Sequence, residues 1–140
     1  MRALEFRAWD TEAKCYIEEP ILVDNFGNVY EVCEESSPVK GTCLITGKPN
    51  VILEQYTGVK DDNDKEIAEG DIVSEEFEYG GDKTKTIWQV RWCDDECAFE
   101  LHYVSGFKVD DCSLVADDEE DYEVIGNIHE LNMEELCQKE

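Results

Sequence analysis

The chain has 140 residues, enough for one compact domain or two small lobes. Thirty-six acidic against twelve basic residues give a formal net charge of −24, which disfavours direct contact with nucleic acid or an anionic membrane and favours basic partners. No apolar run reaches the ~18 residues of a membrane helix, and the charged start MRALEFRAWDTEAKC lacks the apolar centre of a secretory signal, so a cytoplasmic protein is expected.

Leu4, Phe6 and Ala8 are predicted to share one face of a first strand, with Glu5, Arg7 and Trp9 on the other. Asp10, Thr11 and Glu12 predict a turn into Lys14–Glu18. Ile21–Val23 and Val29–Cys33 read as short strands separated by the turn signal Asn25-Phe26-Gly27-Asn28. Glu34–Asn50 mixes Pro, Gly, Ser and Thr around Cys43-Leu44-Ile45 and is predicted as a loop or insertion, with a lobe boundary near it.

Val51–Tyr56 is the next strand, and Asp62-Asn63-Asp64-Lys65 is a hairpin turn, because Asn and Asp tolerate positive φ and bond their own backbone. The acids of this stretch also suggest a cation loop, but neither register works. Starting at Asp62 puts Ile67 at the glycine position and Val73 at the bidentate glutamate position, and starting at Asp61 puts Lys65 on a ligand position. Ile72–Tyr79, the turn Gly80-Gly81-Asp82, Ile87–Trp92, Ala98–Val104 and Tyr122–Ile128 then predict a small antiparallel barrel. Helical periodicity is confined to Asn132–Lys139, with Asn132 as cap and Glu134 and Glu135 in the first turn.

Seven cysteines with no regular spacing read as reduced thiols in a chain that is not exported. Cys93 and Cys97 flank three acids at a strand tip and read first as ordinary hairpin cysteines, with a redox pair or half of a zinc site as the alternatives if the two thiols face each other across the ladder. No second closely spaced pair completes a zinc site, so no metal or cofactor is expected. His102 and His129 sit in strand-like runs and are expected on sheet surfaces. No nucleophile elbow, phosphate loop or dinucleotide fingerprint occurs, so no catalytic residues are assigned and a non-enzymatic protein is expected.

The charge is uneven. Residues 1–60 hold ten acidic and six basic residues, and residues 61–140 hold twenty-six and six. The candidate partner-binding residues are Asp94, Asp95 and Glu96 at a strand tip, the pair Asp110 and Asp111, and the run Asp117, Asp118, Glu119, Glu120 and Asp121. Duplex DNA carries a charge every ~1.7 Å of axis, whereas same-face residues of a strand stand ~6.6 Å apart. Imitating a duplex therefore needs acids from several adjacent rows.

Three ordered blocks resemble the YopX family of small phage and prophage proteins: Arg2–Asp10 (RALEFRAWD), Gln55–Val73 (QYTGVKDDNDKEIAEGDIV), and Val124–Asn127 (VIGN) followed by an acidic C-terminal helix. The chain departs from that pattern at Asn63-Asp64, where Asn-Gly is usual, and at Ala68, where Tyr is usual. The segment between Cys33 and Asn50 and the acidic excess also depart from it. The resemblance implies a mainly β fold: one domain over residues 1–140, with a β-rich lobe over roughly 1–50, an SH3-like small antiparallel barrel over 51–140 and a short C-terminal helix. It implies a phage or prophage origin and brings no catalytic residue. The expected partner is a host protein with a basic or nucleic-acid-binding surface, such as a restriction or CRISPR nuclease inhibited by a nucleic-acid mimic. The alternatives are a homo-oligomer joined through Trp9, Trp88 or Trp92, with the acids serving only solubility, and a metal-dependent module.

Overall fold

The structure, a computed structural model, describes residues 4–18, 20–33, 44–47, 49–114 and 121–138. The fold is mainly β with one short C-terminal helix, and the chain forms two compact units that divide between Gln55 and Tyr56.

The first unit holds β1 (Phe6–Asp10), β2 (Cys15–Tyr16), β3 (Ile21–Val23), β4 (Val29–Cys33), β5 (Leu44–Gly47) and the first half of β6 (Val51–Lys60). Strand β1 lies between β2 and β6 in antiparallel register, with Trp9 opposite both Tyr16 and Ile52. The predicted alternation in β1 breaks at its end: Ala8 and Trp9 are both buried, while Leu4 is 65% exposed. Trp9 packs edge-on against Tyr16 at 4.9 Å between centroids. The Asp10 side chain accepts from the amides of Glu12 and Ala13, which makes the turn into β2.

Arg7, Tyr16 and Glu54 form a polar knot in this unit. Arg7 Nε donates to Glu54 Oε1 at 3.0 Å, the Tyr16 hydroxyl donates to the same oxygen at 2.8 Å, and the guanidinium stacks on the Tyr16 ring. Glu54 is buried, so the knot is desolvated as well as paired. Beside it, β3, β4 and β5 form a three-stranded antiparallel sheet. The expected loop over Glu34–Asn50 is corrected over Leu44–Gly47, which is a strand, while residues 34–43 and 48 lie outside the described residues. The apolar start of that strand is spent on pairing with β4, Cys33 opposite Leu44 and Val32 opposite Ile45.

The second unit begins where β6 passes Tyr56 and pairs with β7 (Glu66–Ala68). Its main element is a curled antiparallel sheet in the order β11 (Cys112–Ser113), β10 (Ala98–Gly106), β9 (Asp82–Cys93), β8 (Asp71–Tyr79), β12 (Tyr122–Asn127). Inward-facing Val73, Trp88, Val90 and Leu101 join Ile67 and Tyr122 in the core, with Val59, Tyr103, Val109, Leu114 and Val124 packed around them. Trp88 is 1% exposed, and its Nε1 has no hydrogen-bond partner among the described residues. Trp9 and Trp88 are thus core residues, which corrects their expected place on an oligomer interface; of the three tryptophans only Trp92 is exposed.

Two glycines hold the bends. Gly70 has φ +84°; its amide donates to the Val90 carbonyl and its carbonyl accepts from the Ile128 amide, tying the entry of β8 to β9 and to the end of β12. Gly106 has φ +88°, and a Cβ there would lie 2.3 Å from the Lys85 carbonyl oxygen. Helix α1 (Met133–Gln138) is capped by Asn132, whose Oδ1 accepts from the Glu134 amide, and packs against β10.

Candidate functional site

The acidic turn after β6 is built around Asp61, which is buried. Its Oδ1 accepts from the amides of Asn63 and Lys65, both at 2.9 Å, and its Oδ2 accepts from the Val124 amide at 3.0 Å. Burial opposes ionisation of this carboxyl, yet the three amides and the Lys65 charge hold its pKa below the ordinary value. Both oxygens serve the backbone, and Asp64 takes the left-handed conformation at φ 63°, so this is a structural turn. It also ties the turn to β12, because the Asp62 amide donates to the Tyr122 carbonyl at 2.9 Å.

That tie gathers charge. Asp62 lies among Asp121, Asp61 and Glu123, and its pKa is raised, first by desolvation and then by those three negative charges. Asp121, Asp62 and Glu123 are all exposed. Of the predicted partner-binding residues, Asp121 therefore belongs to a dense acidic edge. Asp62 and Glu123 were missed because only the tertiary register of the turn against β12 brings them together. Asp117, Asp118, Glu119 and Glu120 lie outside the described residues.

The other acids stand elsewhere. Asp94, Asp95 and Glu96 are exposed in the β9–β10 turn, where Asp94 Oδ1 accepts from Trp92 Nε1. Tyr122 is level with Glu75 and hence with Thr86 of β9, and the eight residues from there to Asp94 span ~26 Å along the strand. Asp110 and Asp111 are exposed before β11, on the opposite edge of the sheet from β12. Asp111 Oδ1 accepts from the Tyr103 amide, and its Oδ2 lies 3.3 Å from His102 Nδ1, while His102 Nε2 lies 3.2 Å from Glu100 Oε2. The described candidate residues thus occupy three places: the β9–β10 turn, the segment before β11, and the start of β12.

The alternative of two cysteines facing each other across the ladder is corrected. Cys93 is paired with Ala98 in the ladder, not with Cys97, and Cys97 sits inside the turn at φ 50° with its thiol donating to the Asp94 carbonyl. The turn holds one residue more than the expected three, so the two thiols do not oppose each other, and both are free. Among the described residues no three His, Cys, Asp or Glu side chains are placed to hold a metal ion, and no helix is long and apolar enough to cross a membrane.

A search of the curated proteins finds no match. The crystal structure of protein EF1440 from Enterococcus faecalis is similar, with 25% identity, a TM-score of 0.57, and coverage of 99% of this chain and 100% of that one. The crystal structure of protein yopX from Bacillus subtilis shares the fold at 16% identity and a TM-score of 0.59, over 90% of this chain and 93% of that one. The family profile described as YopX protein matches residues 5–134, in keeping with the three sequence blocks, and the chain belongs to the YopX family.

Proposed function

We propose that this chain is a non-enzymatic, phage- or prophage-encoded protein that acts in the bacterial cytoplasm by binding a basic surface of a host protein. The concrete form is inhibition of a nucleic-acid-binding or defence factor, such as a restriction or CRISPR nuclease, by occupying the site its nucleic acid uses. The observation that carries this reading is the meeting of Asp62, Asp121 and Glu123 beside Asp61, whose charges add to desolvation in raising the Asp62 pKa, in a chain of net charge −24. Carboxylates gathered at one edge present a negative field that favours a cationic partner.

The test is capture from nuclease-treated host lysate, with elution by salt, followed by competition. A captured nucleic-acid-binding protein whose DNA or RNA binding falls as this chain is added is the expected result. Capture of no such protein, or capture without competition, overturns the reading.

A further inference from the structure

The geometry points to the edge of β8 that is unpaired among the described residues, Glu76–Tyr79, as a docking strand for an extended basic segment of the partner, added to the sheet with Lys or Arg at alternate positions. The inference rests on the basic-partner reading and names how such a partner is held. Strand β12 pairs with β8 only as far as Tyr122 opposite Glu75, and among the described residues nothing pairs with that edge beyond it. One residue further would set Asp121 against Glu76, with like charges directly opposed.

The edge is in strand conformation and its free groups can be identified. The Tyr122 carbonyl accepts from Asp62 and the Val124 amide donates to Asp61, so both face away from β8. By antiparallel alternation Glu123 and Ser74 are then the bonded pair, and the even-numbered residues of β8 turn their backbone groups toward that edge. Beyond Glu75 these are the amides and carbonyls of Glu76 and Glu78, which no described residue pairs with and which form a template for another strand.

The two faces of this hairpin specify the occupant. On one face Tyr79, 65% exposed, and Phe77 both pack on Phe107, at 5.1 and 5.3 Å between centroids. On the other, Glu76 and Glu78 are exposed and stand opposite Lys85 and Lys83 of β9. A partner strand with apolar residues beside Phe77 and Tyr79 and cations beside Glu76 and Glu78 would complete rows of alternating sign and cover the aromatic rings. A second copy of this chain does not fit: antiparallel pairing about Phe77 keeps the aromatic faces together but sets Glu76 against Glu78. The same two glutamates that block self-pairing therefore select a basic strand.

The experiment uses the full chain and three blocked decapeptides: alternating Lys and Val, alternating Glu and Val, and the Lys/Val peptide N-methylated along one edge. Binding is measured by calorimetry at physiological salt, and amide exchange at Glu76 and Glu78 is followed by NMR. The inference expects the Lys/Val peptide to bind at least tenfold tighter than either control and to slow exchange at both amides at least tenfold. It also expects Glu76→Lys/Glu78→Lys to abolish that difference while the fold, checked by melting, persists. Equal binding of the N-methylated peptide, or unchanged exchange at the two amides, overturns the edge site while leaving the basic-partner reading to the lysate competition. Absence of Lys/Val binding overturns the edge site as well. The exchange measurement needs no variant, so a misfolded double substitution does not rescue the idea.

Discussion

At Glu54 two donors converge on one buried carboxylate oxygen, the Arg7 guanidinium and the Tyr16 hydroxyl. Removing one partner of a buried ion pair leaves the other charge desolvated, which costs more than the pair contributes. Arg7→Leu is therefore expected to destabilise by about 3 kcal/mol, and Tyr16→Phe by about 1.5 kcal/mol, both read from urea midpoints. A loss under about 0.5 kcal/mol for Arg7→Leu would show that water reaches Glu54. Trp88 offers the opposite case. Its indole nitrogen is buried without a partner among the described residues, so Trp88→Phe removes an unsatisfied donor together with some apolar contact. The two effects oppose each other, and a net cost below that of Val90→Ala is expected.

At the scale of elements, the acidic turn after β6 and the turn between β3 and β4 together give a pH signature with two signs. Asp61 has a lowered folded pKa, and Asp24 is pushed down to about 2, first by the Asn28 side-chain hydrogen bond and then by the amides of Asn28 and Phe26 and the Tyr30 hydroxyl, against desolvation. Depressed carboxyls contribute stability that is present above their unfolded value of ~3.9 and is lost as pH falls through the folded value. Stability is thus expected to drop between pH 4 and 2, more shallowly in Asp61→Asn and Asp24→Asn. Asp62 runs the other way: its raised pKa means its charge opposes folding above that range, so Asp62→Asn should stabilise at pH 7. Solvent screens exposed charges and limits the gain to under about 1 kcal/mol. A destabilising Asp62→Asn would remove the crowding on which the proposed function rests.

Local signals made much of this architecture legible. Ile21–Val23 and Val29–Cys33 carry apolar runs bounded by a turn signal, and they are the strands β3 and β4. Asn132 supplies a cap oxygen that local chemistry identifies. Leu44–Gly47 carried no such mark, because its surroundings are turn-like and its reason for being extended is the non-local partner β4. The acidic site failed in the same way. The run ending at Asp121 was visible as composition, but its meeting with Asp62 depends on a contact about sixty residues apart, which no window of sequence contains. The alternative of a facing Cys93–Cys97 pair fails by one residue of turn length, enough to move Cys97 off the ladder and put Ala98 opposite Cys93.

For the whole molecule the charge itself is a stability variable. Thirty-six acidic residues against twelve basic ones repel one another across the folded surface, and the unfolded chain relaxes that repulsion by expanding. Raising salt shortens the screening length from ~30 Å at 0.01 M to ~3 Å at 1 M, below the spacing of most surface charges. Close desolvated pairs such as Arg7–Glu54, with Glu54 4% exposed, are screened far less, so added salt weakens repulsion more than it weakens this attraction. The melting temperature is accordingly expected to rise between 0.01 and 0.5 M NaCl, where each 1 kcal/mol relieved is worth ~4 °C in a chain of this size. Salt should at the same time weaken capture of a cationic partner, because the carboxylates that destabilise the free protein are those the partner neutralises. Stability and partner affinity moving in opposite directions with salt would tie both to one set of charges. A melting temperature that is flat or falls with salt would instead mean that the acids are already balanced in the folded protein, leaving no stored repulsion for a partner to relieve.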